Sequence, residues 1–308
     1  MTHSNSSQRH SVLSSVLPDG QLVSGTSLWK DAWQRLRKNR MAVIAVIAVG
    51  SLTVAACIGP AVVKIFWGYD FESQNLAYGA QPPSFDHWFG TDFLGRDLLT
   101  RVLYGARVSL QIGLLAAFVS ATVGTVYGAV AGYVGGRVDT IMMRIVDVLY
   151  VLPYMFLVII LVTIFNQSLL LVFVALGLVG WLMTARIVRG QVLSLKEREF
   201  VRAGQSVGSS NTAIVFRHLI PNTLGPIVVY FTLTVPNMIL QEAFLSFLGL
   251  GVQEPQASLG ALINEGANQM IVFWWAVVFP GSVLALLLFS LNFLGDGMRD
   301  ALDPQMKT

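Results

Sequence analysis

The chain has 308 residues, of which 54% are hydrophobic and only 12% charged, with a mean hydropathy of +0.64. Charged residues make up about a quarter of an ordinary soluble domain, so that class is excluded. The formal charge of +3 is clustered around apolar runs, which argues against a nucleic-acid partner, and the single Cys57 excludes an internal disulfide and any multi-cysteine metal site.

Residues 1–25 are rich in Ser, Gln, Asn and Gly and read as a disordered tail. The stretch 26–40 predicts an amphipathic helix capped by Thr26 or Ser27. Leu28, Trp29, Ala32, Trp33 and Leu36 share one face, and Lys30, Arg35, Arg37 and Lys38 the other, as suits a helix lying in a membrane interface. Beyond it, the runs 41–63, 108–136, 148–185, 219–241 and 266–295 contain no Asp, Glu, Lys or Arg. A helix needs about 20 apolar residues to cross a bilayer. The run 148–185 would extend for about 57 Å as one helix, so it must fold back, with Asn166 and Gln167 as the turn. The expectation is an all-α, polytopic membrane protein with six spans, near 41–63, 108–133, 140–165, 169–188, 223–247 and 272–295. Basic residues gather before span one, around the connection between spans four and five, and after span six. The positive-inside rule therefore predicts both termini in the cytoplasm.

The segment 64–107 is expected on the opposite, periplasmic side. In it Asp92, Arg96, Asp97 and Arg101 are spaced for exposed i,i+4 ion pairs that would order a helix. In span two, Ala116, Ser120, Gly124, Gly128 and Gly132 recur every four residues. Such a small-residue stripe permits close helix approach in lipid, here either within the chain or against a partner. Arg144 and Asp147 stand three residues apart on span three and can pair. Glu242, in span five, has no basic neighbour in sequence. Ionisable groups at membrane depth are functional candidates, so these three are assigned to a translocation path, with a buried structural hydrogen bond as the alternative for Glu242. Pro153 and Pro236 are expected to kink spans three and five. A short helix is expected between spans five and six, and 296–308 forms a C-terminal cytoplasmic tail.

The most informative stretch is the polar, basic insert 189–222, which lies between two apolar runs of a core covering 108–295. A short amphipathic helix begins at Phe200, Val201, Arg202 and Ala203. Gly204 and Gly208 follow, then an apolar-basic segment with His218 and Ile220, closed by Pro221. An exposed amphipathic helix on a membrane protein needs a docking partner. The chain has no Gly-x-x-x-x-Gly-Lys-Ser/Thr phosphate loop, no His/Glu metalloprotease pattern and no Gly-x-Ser-x-Gly elbow, so no catalytic set and no metal site are expected.

From about Ser27 onward the chain resembles the peptide-transport permeases of the type I ABC importer family, in particular their oligopeptide permease C subunits. Asn39-Arg40, Gly90-Thr-Asp92, Gly95-Arg96-Asp97, Phe244 with Leu245, Gly251, and the tail Gly295-Asp296 to Asp303-Pro304 carry the resemblance in order. The family's coupling motif reads Glu-Ala-Ala, three residues, Gly, nine residues, Ile, one residue, Leu-Pro. Laid on this chain, Arg202 stands at the Glu, Ala203-Gly204 at Ala-Ala, His218 at the Ile and Ile220 at the Leu, while Gly208 and Pro221 match. The resemblance implies a non-catalytic permease of the bacterial inner membrane that forms a pathway for oligopeptides with a second homologous permease. It also implies two ATP-binding subunits, which hold ATP and Mg, and an extracytoplasmic peptide-binding protein. This chain would itself bind no cofactor, and the lipid bilayer is its remaining partner. Dipeptide, cationic-peptide and metal-chelate permeases of the same family are the alternatives, with a secondary transporter behind them.

Overall fold

The computed structural model describes residues 28–164 and 169–302. The tail 1–25, the turn at Asn166 and Gln167, and the last residues, 303–308, lie outside the described residues. Membrane helices α2 (Arg40–Trp67), α3 (Leu98–Val134), α6 (Leu169–Leu195), α9 (Ile220–Phe247) and α11 (Trp275–Leu302) form the bundle. A sixth span consists of α4 (Gly136–Val151) and α5 (Tyr154–Ile164), bent by 85° at Leu152 and Pro153. The proline has no amide to continue the ladder and its ring disfavours helix in the residue before it, so the expected kink is a complete break. Pro236, by contrast, sits inside an uninterrupted α9.

The first short helix, α1 (Leu28–Lys38), divides its apolar stripe between two environments. Ala32 and Leu36 pack with Ala42 of α2 and with Met298 and Ala301 at the end of α11, whereas Trp33 faces outward, 58% exposed. This contact brings the described N- and C-terminal helices to the same end of the bundle.

Span two begins ten residues earlier than the charge-free run indicated. The Asp97 carboxylate accepts from the Thr100 amide at 2.8 Å and caps α3, so the segment before it ends at residue 97 instead of 107. Arg101 and Arg107 then lie inside the helix, which is why a search for charge-free sequence missed its first turns. The preceding segment, 68–97, has little regular structure. Gly95 is indispensable in it: its φ of +70° is left-handed, and a β-carbon there would collide with the Asn75 backbone.

The small-residue stripe of α3 packs inside the chain, against α6. An added β-carbon at Gly124 would stand 2.8 Å from the Trp181 carbonyl oxygen, and one at Gly132 would stand 3.0 Å from that of Arg189. At Gly128 it would fall onto the Ala185 carbonyl. Ala116 and Ser120 meet the reciprocal glycines of α6, Gly177 and Gly180. Backbone-to-backbone approach of this kind replaces hydrophobic driving force as the source of helix association in lipid. Gly128→Val is expected to cost about 1–3 kcal/mol through overpacking and to lower the melting temperature in detergent. Gly190→Ala, where the β-carbon meets nothing within 4 Å, serves as the control and leaves it unchanged or higher.

Candidate functional site

The insert between spans four and five sits at the end of the bundle shared by α1 and the close of α11. It consists of α7 (Glu199–Ser206), a turn, and α8 (Asn211–Ala213), which runs through a π-helical stretch, Ile214–Leu219, directly into α9. Its second half is therefore an extension of span five, not a separate loop. Among the α7 residues Val201 is the anchor. It is 1% exposed and packs with Ala129 of α3, Val188 and Val192 of α6, and Ile214, Val215 and Leu219 of the π-helical stretch. The Tyr133 hydroxyl adds a hydrogen bond to Asn211 Oδ1 at 2.9 Å. Helix α7 thus shares one small core with three membrane helices.

The other face of α7 is open. Phe200, Arg202 and Ala203 are exposed, Gly204 is half-buried, and Val207 beyond the helix is 87% exposed. Arg202 pairs with Glu197 at 3.2 Å with both side chains about two-thirds in solvent, a contact worth about 0–1 kcal/mol. Gly208 adopts φ +84° with nothing around it, so its role is to turn the chain. His218 and Ile220 are half-buried, and Pro221 is exposed where the π-helical stretch passes into α9.

At the opposite end, the four charges expected as exposed pairs on a helix are instead buried, and Asp92 and Arg96 lie in a turn. Asp92 accepts from Arg96 Nε and from Arg101 Nη1, each at 2.6 Å. Arg101, fully buried, also reaches Glu265 at 2.7 Å, and Arg96 reaches Glu254 at 2.9 Å. Glu265 belongs to α10 (Leu259–Ala267), the short helix expected between spans five and six. Asp97 holds His87 at 2.9 Å as well as capping α3. Nearby, Lys64 donates to Asp70 at 2.7 Å and holds that carboxyl below the usual range.

Three ionisable groups in the spans were assigned to a translocation path, and the structure separates them. Asp147 pairs with Arg186 of α6 at 2.8 Å, not with Arg144, and the Arg186 guanidinium lies 4.2 Å from the Tyr150 ring centre. Arg144 is exposed. A neighbouring pair unforeseen in the sequence, Arg189 with Asp139, is bidentate, with both contacts at 2.5 Å. Glu242 is fully buried in the seam where α3, α9 and α10 meet. It accepts from Ser109 Oγ at 3.0 Å and Ser246 Oγ at 2.6 Å, and Ser258 Oγ donates on to Ser246 Oγ at 3.1 Å. Glu242 thus makes the buried hydrogen bonds that the alternative reading expected.

A cavity of about 560 Å³ opens at the α4–α5 break, between Tyr150, Pro153, α6 at Gly180 and α9. Its α9 wall carries three polar residues, Thr234, Asn237 and Gln241, Tyr150 and Tyr154 line the other side, and none of its lining residues is charged. Gln241 Oε1 is buried with no hydrogen-bond partner, a condition that costs about 1–3 kcal/mol. These three residues escaped a search for charges. Their i, i+3, i+7 spacing was the signal that would have found them.

Five helices long and apolar enough to cross a membrane, with the bent α4–α5 pair as the sixth span, define a multi-pass membrane protein that carries an amphipathic helix between its fourth and fifth spans. Residues 124–308 match the family model described as binding-protein-dependent transport system inner membrane component, and residues 27–83 match that of the N-terminal TM domain of oligopeptide transport permease C. The chain is 52% identical over 283 residues to the oligopeptide transport system permease protein OppC of Escherichia coli (strain K12), covering 92% of this chain and 93% of that protein. It is 43% identical to the protein of that name in Bacillus subtilis (strain 168), covering 91% of each. It is 47% identical to the dipeptide transport system permease protein DppC of the same organism, covering 91% of this chain and 87% of that protein. The chain belongs to the family of binding-protein-dependent transport system inner membrane components, the permeases of ABC importers.

Proposed function

We propose that this chain is one half of the translocation pathway of an ATP-driven importer for oligopeptides. A second, homologous permease supplies the other half. Two ATP-binding subunits dock on α7 from the cytoplasm, where both termini lie, and a peptide-binding protein delivers substrate on the periplasmic side. ATP and Mg belong to the docked subunits, and this chain catalyses no reaction. The observation that carries the reading is the dual nature of α7, whose Val201 is locked into the core of three spans while Phe200 and the following Val207 face outward.

Closure of the ATP-binding subunits displaces α7, and the core around Val201 passes the movement to α3, α6 and the α8–α9 extension. The π-helical stretch at Ile214–Leu219, a rare geometry frequent at functional sites, is placed to absorb the change of angle. The pathway then alternates between outward- and inward-facing states, and coupling requires that both the nucleotide and the peptide bias the same two-state element. A dipeptide importer is the second reading, favoured by the 47% identity to a dipeptide permease.

The test is purification from native membranes by a C-terminal tag, followed by reconstitution. Recovery of a second six-span permease with ATP-binding subunits, and ATP-dependent uptake of tetra-alanine exceeding that of di-alanine, is the expected result. Recovery of the chain alone, with uptake that survives ATP depletion and collapses with an ionophore, replaces this reading with a secondary transporter.

A further inference from the structure

The α9 wall of the cavity at the α4–α5 break offers hydrogen-bond acceptors that no group of this chain fills. Thr234 Oγ1 donates to the Tyr230 carbonyl at 2.7 Å, and Asn237 Nδ2 donates to the Leu233 carbonyl at 2.8 Å. Asn237 Oδ1 and the lone pairs of Thr234 remain to receive, and Gln241 Oε1 is buried and unpartnered. The facing wall is the end of α4, with the Tyr150 side chain on it. Helix α4 stops at Val151, and the last carbonyls of a helix have no donors of their own. Pro153 brings no amide to satisfy them. Lipid offers no donor to such a surface either.

We propose that this cavity is a subsite on the transport path that receives the backbone N–H groups of an extended peptide. The inference rests on the importer reading above and adds to it which atoms of the substrate this chain reads. From Thr234 to Gln241 the helix rises about 10.5 Å, and N–H groups on one edge of an extended chain recur about every 6.8 Å. The row thus spans two successive N–H groups. Because the lining carries no charge, it neither demands nor rejects a charged substrate side chain. Backbone recognition by neutral acceptors explains how one pathway passes peptides of differing sequence.

The experiment uses the complete importer in proteoliposomes, with tetra-alanine and the same peptide N-methylated at its inner amides, at concentrations that saturate the binding protein for each. Wild type is expected to take up the methylated peptide about tenfold more slowly. Asn237→Leu combined with Gln241→Leu is expected to slow tetra-alanine by a similar factor and to abolish the difference between the two peptides, while Asn237→Gln retains the difference. Persistence of full discrimination in the double leucine variant, or its absence in wild type, overturns the subsite. Loss of the second permease from the purified double variant also overturns it, because the row would then be a contact between subunits. Failure of the wild-type complex to take up any peptide with ATP refutes the importer reading itself, a distinct result.

Discussion

Gly208→Val is expected to abolish ATP-driven uptake while the protein accumulates in the membrane at its normal level. The glycine holds φ +84°, a conformation that costs an L-residue about 1–2 kcal/mol and a β-branched one more. No atom beyond its chain neighbours lies within 4 Å of the position where a β-carbon would stand, so the strain stays local and leaves the core around Val201 intact. What changes is the direction of the chain between Ser206 and Asn211, and with it the angle at which Phe200 and Val207 meet a docked subunit. Misplacing apolar anchors at the centre of an interface typically costs about 2 kcal/mol or more, about thirtyfold in affinity. Co-purification of the ATP-binding subunits and uptake by proteoliposomes should fall together. Gly208→Asn, which tolerates the left-handed region, should retain most of both. Normal uptake by the valine variant would sink the assignment of α7 as the docking element.

Arg101→Leu should produce the largest loss of stability in the chain. The guanidinium is fully buried between Asp92 at 2.6 Å and Glu265 at 2.7 Å, joining the turn at 92–97 to α10. Removing it leaves two carboxylates in low dielectric with only Arg96 to share, and breaking a buried pair in this way costs about 3–5 kcal/mol. A fall in the melting temperature in detergent on the order of 10 °C is the expected reading. Arg101→Lys should recover only part of it, since an ammonium cannot reproduce the fork that reaches both carboxylates. A leucine variant that melts with wild type would show that the cluster is dispensable to the fold. The Trp275 indole, which donates to the Thr91 carbonyl at 3.1 Å, ties the same turn to α11, so the damage should extend to that helix.

The spans were legible in the sequence because crossing a bilayer is a local, additive demand: about 20 residues must each favour hydrocarbon, wherever they end up. The same holds for the stripe of α3, whose four-residue recurrence declares one face of one helix. Where charges intervened, the reading failed locally. Arg101 hid the first turns of α3, and only Asp92 and Glu265 explain how a helix can carry it buried.

Partners were decided by the tertiary structure alone. Asp147 had Arg144 one turn away and found Arg186 instead, because the position of α6 beside α4 sets which cation is within reach. Glu242 was read as a candidate pathway group, yet Ser109, 133 residues away in the chain, Ser246 and Ser258 enclose it. The row Thr234, Asn237 and Gln241 was written in the spacing of span five, but only the 85° break at Pro153 opens a cavity in front of it. Transfer from water to hydrocarbon depends on composition over a window, which sequence states directly. Ion pairs, seams and cavities depend on the relative position of helices distant in the chain, and that is fixed only when the bundle packs.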